Sequence, residues 1–441
     1  MARPQESLTH LYGEHIAILC RQVEQALQVS AAAGATFDGV VFHSGCETTY
    51  PADDQTVPFR PLPHFARWAP LDGPDHCVLI RPGETPRLFE TRVDDYWTAP
   101  AARPAHPCFD VLECETLALA DAAADHMGEV ARLAFVGPEP RAAARLGLPL
   151  SPLPSASLVT ALDWYRAEKT AYDVECLRRA AERAAGGHRA AVTGFRERQS
   201  EYAIHLAYLQ ACDALECETP YPNIIAWDER AAVLHYPHKS RTAPDPGNVL
   251  LIDAGATAWG YACDVTRTYA AEEAPAAFRA ALAQMARLQR ELVAAVRPGL
   301  SFVELHERAV AGVAAILADV GALRVSVDEA LERGLVFAFL PHGLGHHLGL
   351  QVHDVGGQLV SAKGEYRPPP EAHPYLRTTR DLAVGQVVTI EPGLYFIETL
   401  LDRLRTGPDA AAFDWEQIAR RWADRYRSLA RGERPADAVP V

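Results

Sequence analysis

Four residues of the kinds that bind hard cations recur in the second half of the chain: Asp253, Asp264, His346 and Glu391. Asp253 ends the apolar run Val249-Leu250-Leu251-Ile252. Asp264 opens a period-two stretch with Thr266 and Thr268 on its own face and Val265 and Arg267 on the other. His346 lies in a segment with His342, His347 and His353, interleaved with Gly343, Gly345 and Gly349, whose missing Cβ permits close backbone approach. Glu391 follows Val388-Thr389-Ile390 and precedes Pro392-Gly393. Each has a plainer reading when taken singly, since an Asp at a strand end is often a turn former and a lone His is usually a satisfied core or surface residue. Together they make a donor set of three carboxylates and one imidazole. Such a set suits Mn²⁺, Co²⁺ or Zn²⁺ better than a soft thiophilic metal. A carboxylate facing inward from a strand is costly unless its charge is compensated, and a cation compensates it. This much negative charge fits two dications, which lower the pKa of a shared water and polarise a carbonyl.

Around these residues the pattern is α/β. Residues 8–35 read as a helix, with Leu8, Leu11, Ile16, Leu19, Val23 and Leu27 spaced near 3.6. Short apolar runs follow at 39–42, 77–80 and 133–137, separated by helical stretches, notably 117–131, and by a Pro-rich loop at 51–63. Residues 149–158 mark a boundary between a domain at 1–160 and a larger one at 161–441. Residues 163–194 read as one long helix and its successor, ending near Gly186-Gly187, and 199–214 as another. Strands are expected at 222–227, 231–236, 249–254, 260–270, 349–354, 386–390 and 394–398. Helices are expected from Pro275 to Val296, where Pro298-Gly299 follows, and at 302–319. A hairpin of two antiparallel strands would set Asp253 beside Asp264.

The chain has 441 residues, too many for one ordinary core, with 49% hydrophobic and 22% charged residues, which are globular values. Its net charge of −15 argues against a nucleic-acid partner and leaves no basic face for an anionic membrane. No apolar run is long enough to span a bilayer, and the N-terminus shows no signal-peptide core. The nine cysteines contain no Cys-x-x-Cys, so reduced thiols in a cytoplasmic protein are expected.

The order Asp253, Asp264, His346, Glu391, with His342-Gly-Leu-Gly-His346 and Glu391-Pro392-Gly393, resembles the metal-dependent pita-bread peptidases, and the bacterial Xaa-Pro dipeptidases among them. The likeness extends to Leu11-Tyr12-Gly13-Glu14-His15-Ile16, Phe65-Ala66-Arg67-Trp68-Ala69-Pro70, Val93-Asp94-Asp95-Tyr96-Trp97, Pro220-Tyr221-Pro222-Asn223-Ile224 and Ala232-Val233-Leu234-His235-Tyr236. It implies an α/β N-terminal domain followed by a pita-bread catalytic domain, two divalent cations with Mn²⁺ foremost, a homodimer and a dipeptide substrate ending in proline. An organophosphate-triester side activity is a secondary implication. By resemblance, Asp253, Asp264, His346 and Glu391 are metal ligands, and Glu391 is also the base for the bridging water. His235 and His353 assist at the scissile carbonyl, Arg377 pairs with the substrate carboxylate, Tyr221 lines the pocket and His342 supports the site.

One segment departs from the family pattern. The resemblance implies a fifth ligand, a second Glu on a late strand, and none of Glu398, Glu416 and Glu433 has the expected neighbours. From about residue 417 the chain reads as a basic, helix-like or disordered tail. The alternative that this implies is a catalytically impaired relative with a binding role.

Overall fold

The computed structural model describes residues 7–93, 96, 97, 99, 101–138, 140–148 and 156–422. Asp94 and Asp95, most of the expected boundary at 149–158, and the tail from 423 with Glu433 lie outside the described residues.

The helix Leu8–Ala32 is capped by Ser7, whose hydroxyl accepts from the His10 amide at 3.2 Å. It lies on a sheet of β1 (Gly39–His43), β2 (Cys77–Ile80), β3 (Arg87–Thr91), β4 (Glu113–Leu117) and β5 (Leu133–Val136), ordered β4-β3-β2-β1-β5. The central strands are apolar along their length because both faces are covered. Val40, Phe42, Val78, Ile80 and Ala134 join the core under the helix, while Val41, Cys77, Leu79, Phe89 and Phe135 face a second core with Ala142 and Leu146. The helix expected at 117–131 is confined to Ala123–His126. Leu117 is drawn into β4 by pairing with Thr91, and Gly128, at φ 72°, ends the turn that follows.

In the larger part, the helices Ala171–Arg196 and Glu201–Cys212 back a three-stranded antiparallel sheet of β6 (Ile224–Trp227), β7 (Val249–Asp253) and β10 (Thr266–Ala270). The small hairpin β8 (Thr257–Ala258) and β9 (Tyr261–Ala262) joins β7 to β10, so the strand expected over 260–270 is two strands. The helix does not stop at Gly186-Gly187. A Cβ on Gly187 would stand 2.5 Å from the Tyr208 ring and 2.7 Å from Cys212 Sγ, so this glycine lets two helices touch rather than ending one. The strand expected at 231–236 is absent. The Asp228 carboxylate accepts from the amides of Gly247, Asn248 and Val249 and anchors a 3₁₀ turn, Asp228–Ala232, instead.

The helices Ala276–Ala295 and Phe302–Asp319 form the outer layer. The strand expected at 349–354 is a loop, and at 394–398 the chain passes irregularly into the helix Glu398–Thr406. Residues 386–390 carry isolated antiparallel bridges, Glu168 to Gln386 and His347 to Val388, with amide bonds from Thr389 to the His346 carbonyl (2.9 Å) and from Glu391 to the Leu344 carbonyl (2.9 Å). Between β10, an edge strand, and residues 386–396 runs a groove of about 1640 Å³, floored by Phe278, Leu282 and Met285.

Candidate metal centre

The antiparallel register sets Thr266 opposite Asp253, and the β8–β9 hairpin returns the chain so that Asp264 stands beside it. The Tyr221 hydroxyl joins the two, 2.8 Å from Asp253 Oδ1 and 2.7 Å from Asp264 Oδ1. A phenol has one hydrogen to donate, so its second contact needs a proton on a carboxyl. Of the two, Asp253 holds a proton more readily: burial, then the charge of Asp264, raise its carboxyl. Asp264 moves the other way. Burial alone would raise it, but hydrogen bonds from His346 and Tyr221 outweigh burial and lower it.

His346 and Glu391 arrive on the short bridged segments. His346 Nε2 lies 3.3 Å from Asp264 Oδ2 and 3.2 Å from Glu391 Oε1. Its Nδ1 contacts the His347 carbonyl at 3.0 Å, which leaves Nε2 as the ligating nitrogen of the neutral ring. Burial would lower this imidazole. Its bonds to Asp264 and Glu391 instead hold it up at about 10. The ligand atoms of Asp264, His346 and Glu391 fall within 4.8 Å of one another.

These donors fit a divalent cation. The crowding of negative charge that raises both Asp253 and His346 is the charge a dication would offset. Hard oxygen and imidazole donors would then surround it.

Two residues that sequence reasoning missed belong here. Thr389 Oγ1 donates to Glu391 Oε1 at 2.7 Å and accepts from the His346 amide at 2.9 Å, bracing both ligands. Its place two residues before Glu391, on the same side of the extended run expected at 386–390, was the available signal. Tyr395 lies close enough for Glu391, after burial, to push its phenol up.

His353 packs edge-on to His346, with ring centroids 4.4 Å apart. Desolvation, then His346 and the charge of Arg377, lower its imidazole to about 4. Arg377 itself is exposed. His342 contacts the Gly343 carbonyl through Nδ1 at 2.8 Å and packs against the Tyr395 ring. His235 is exposed beyond the 3₁₀ turn, and among the described residues no hydrogen bond or ring contact joins it to the cluster. His347 is buried, with both ring nitrogens lacking a partner among the described residues. Glu398 and Glu416 open the helices Glu398–Thr406 and Trp415–Trp422, and neither is in the group of ligand atoms above.

A mixed N-terminal sheet domain joined to this carboxylate–histidine sheet is the architecture of the pita-bread hydrolases. The chain superposes on the zinc-substituted aminopeptidase P of E. coli in complex with product, with a TM-score of 0.65 at 22% identity, covering 89% of this chain and 90% of that one. The proline aminopeptidase P II of Yersinia pestis gives 0.66 at 22%, over 89% and 91%. The chain belongs to metallopeptidase family M24, whose family model matches residues 175–421; that of the Xaa-Pro dipeptidase N-terminal domain matches 10–164. Similar relatives include the Xaa-Pro dipeptidase of Stenotrophomonas maltophilia strain K279a, 41% identical over 414 residues, covering 92% of this chain and 90% of the relative. The Xaa-Pro dipeptidase of Xanthomonas campestris pv. campestris strain 8004 is 41% identical over 419 residues, covering 94% and 92%. These matches do not favour the reading of a non-catalytic relative.

Proposed function

We propose that the protein hydrolyses dipeptides of the Xaa-Pro type with two divalent cations, Mn²⁺ foremost, with Co²⁺ or Zn²⁺ as substitutes. The observation that carries this reading is the convergence of Asp264, His346 and Glu391, with Asp253 joined to Asp264 through the Tyr221 hydroxyl. Such cations, when bound, supply an acidified water and a Lewis acid for the scissile carbonyl. The chain's own residues divide the remaining tasks. Asp253, Asp264, His346 and Glu391 are the ligands, and Glu391 takes the proton of the attacking water. Tyr221 fixes the spacing of the two aspartates. His353, beside His346, and His235, on its exposed loop, assist at the carbonyl. Arg377, whose charge reaches His353, receives the substrate carboxylate, where a guanidinium offers two parallel donors. His342 lies behind the substrate, against Tyr395. The division of the chain at residue 160, a homodimer and a cytoplasmic location complete the proposal.

The test combines elemental analysis of Mn²⁺-loaded protein with Gly-Pro and Leu-Pro hydrolysis on the same sample. Turnover that disappears on chelation and returns with Mn²⁺ is the expected result. Protein that binds both metal and dipeptide but never cleaves sinks the reading.

A further inference from the structure

The segment Arg166–Thr170 lies between the two family matches, 10–164 and 175–421. It is held against the catalytic part by a buried charge cluster that none of the roles above uses. Arg166 Nη2 donates to Asp354 Oδ1 at 2.9 Å, and Lys169 Nζ donates to Asp354 Oδ2 at 3.0 Å. The three side chains are 3%, 2% and 1% exposed, in the order Arg166, Lys169, Asp354. Taking three charges out of water is costly, and a similar volume of apolar side chains is often no less stabilising. Stability alone is therefore a weak account of this cluster.

Its position suggests another account. Asp354 follows His353 directly, and its amide donates to the His347 carbonyl at 3.0 Å, which closes a loop from His347 to Asp354. Arg166 also holds the tip of that loop, donating to Gln351 Oε1 at 2.5 Å. A Cβ on Gly349 would meet Asp354 Oδ2 at 2.0 Å, so loop and carboxylate are packed without slack. The same segment grips the other ligand-bearing strand. The Lys169 amide donates to the Gly385 carbonyl at 2.7 Å, and Glu168 bridges Gln386, at the start of the run to Glu391.

We infer that Asp354 is a positioning residue: clamped by Arg166 and Lys169, it fixes the loop that sets the His353 ring against His346 and keeps the His346 segment in register with the Glu391 segment. Asp354 touches neither substrate nor ligand atoms. It acts through the backbone of its own loop, so its loss would misplace two imidazoles at once. Outer partners of ligating histidines typically change metal affinity or activity by about 10- to 100-fold when removed.

This inference rests on the metallodipeptidase reading, and its test separates the two. Wild type, Asp354→Asn and Asp354→Asn/Lys169→Met are compared by thermal unfolding, by Mn²⁺ titration calorimetry and by Xaa-Pro turnover. The single variant leaves two buried cations facing a neutral amide and should lose thermal stability. The double variant removes one of those cations while Arg166 stays charged beside the new amide, and should regain part of it. If Asp354 positions the loop, the double variant keeps a Mn²⁺ affinity or a kcat about 10- to 100-fold below wild type despite its partly recovered Tm, with KM little changed. Mn²⁺ affinity and kcat that return together with Tm show that Asp354 only balances charge, and overturn the inference. Gln351→Ala, which buries no new charge, repeats the measurement if neither Asp354 variant folds. A weakened Mn²⁺ affinity then supports the clamp, and an unchanged one overturns it. Wild type that binds Mn²⁺ without turnover fails the dipeptidase reading alone, and the titration still decides the role of Asp354.

Discussion

At the scale of single residues, burial and crowded carboxylates raise Asp253, and carboxylate partners raise His346 against its burial. Both raised groups act with the same sign. Asp253, at about 7, and His346, at about 10, are more readily protonated in the folded protein than in the unfolded chain. Their contribution to metal-free stability is therefore present at low pH and lost as pH rises through about 7 and then about 10. A cation must displace those protons. Metal affinity should accordingly rise from pH 6 to pH 8, as Asp253 empties. The binding enthalpy at pH 7 should depend on the ionisation enthalpy of the buffer, and calorimetry in phosphate and in Tris checks it. An enthalpy equal in both buffers contradicts this account. Thr389 offers a second test. Thr389→Val keeps the shape but removes the hydroxyl that braces Glu391 and His346, and should weaken metal affinity or turnover by about 10- to 100-fold. Unchanged Mn²⁺ binding and kcat would show that strand pairing alone orients the two ligands.

At the scale of elements, the glycines decide how closely segments approach. Gly187→Ala places a Cβ 2.5 Å from a fully buried Tyr208 ring. Such overpacking should cost about 1–3 kcal/mol in denaturant unfolding, with catalysis below the transition little affected; an unchanged midpoint would mean that the helices separate freely. This contact also shows what a sequence hides. Asp253 was legible because it ends an apolar strand, and Asp264 because an alternating stretch follows it, although it stands in the turn before β10; the end of the helix that starts at Ala276 was legible from Pro298-Gly299. Gly186-Gly187 was misleading because glycine ends a helix and admits a close neighbour equally well, and only the partner helix tells the two apart. Residues 231–236, 349–354 and 394–398 resemble strands locally. Their backbones instead bond to carbonyls outside any ladder: the Val233 amide to Arg230, the Asp354 amide to His347 and the Tyr395 amide to Phe339. Arg377 and His235 could be named only by resemblance, since an exposed charge and an exposed imidazole on loops carry no local signal.

For the whole molecule, the core does not respect the two family regions. Tyr12, Trp68 and Val78 share a cluster with Tyr172, Tyr261 and Leu348. Within it, Asp173 is completely buried, 3.2 Å from Arg67 Nη2 and bonded by the Tyr261 hydroxyl and the Thr170 amide. The two regions should therefore unfold together, in one calorimetric transition whose van't Hoff and calorimetric enthalpies agree. Two resolved transitions would show that this core is dispensable to either part. Arg67→Met would leave Asp173 uncompensated, at a cost of about 3–5 kcal/mol. The same arrangement bears on heredity. Asp173 finds its guanidinium more than a hundred positions earlier in the chain, and Asp354 finds its two cations almost two hundred positions earlier. A crossover between relatives that falls between such partners passes on one half of a buried ion pair without the other. Exchange between such relatives should be tolerated best where both parents already agree on the cation and the anion.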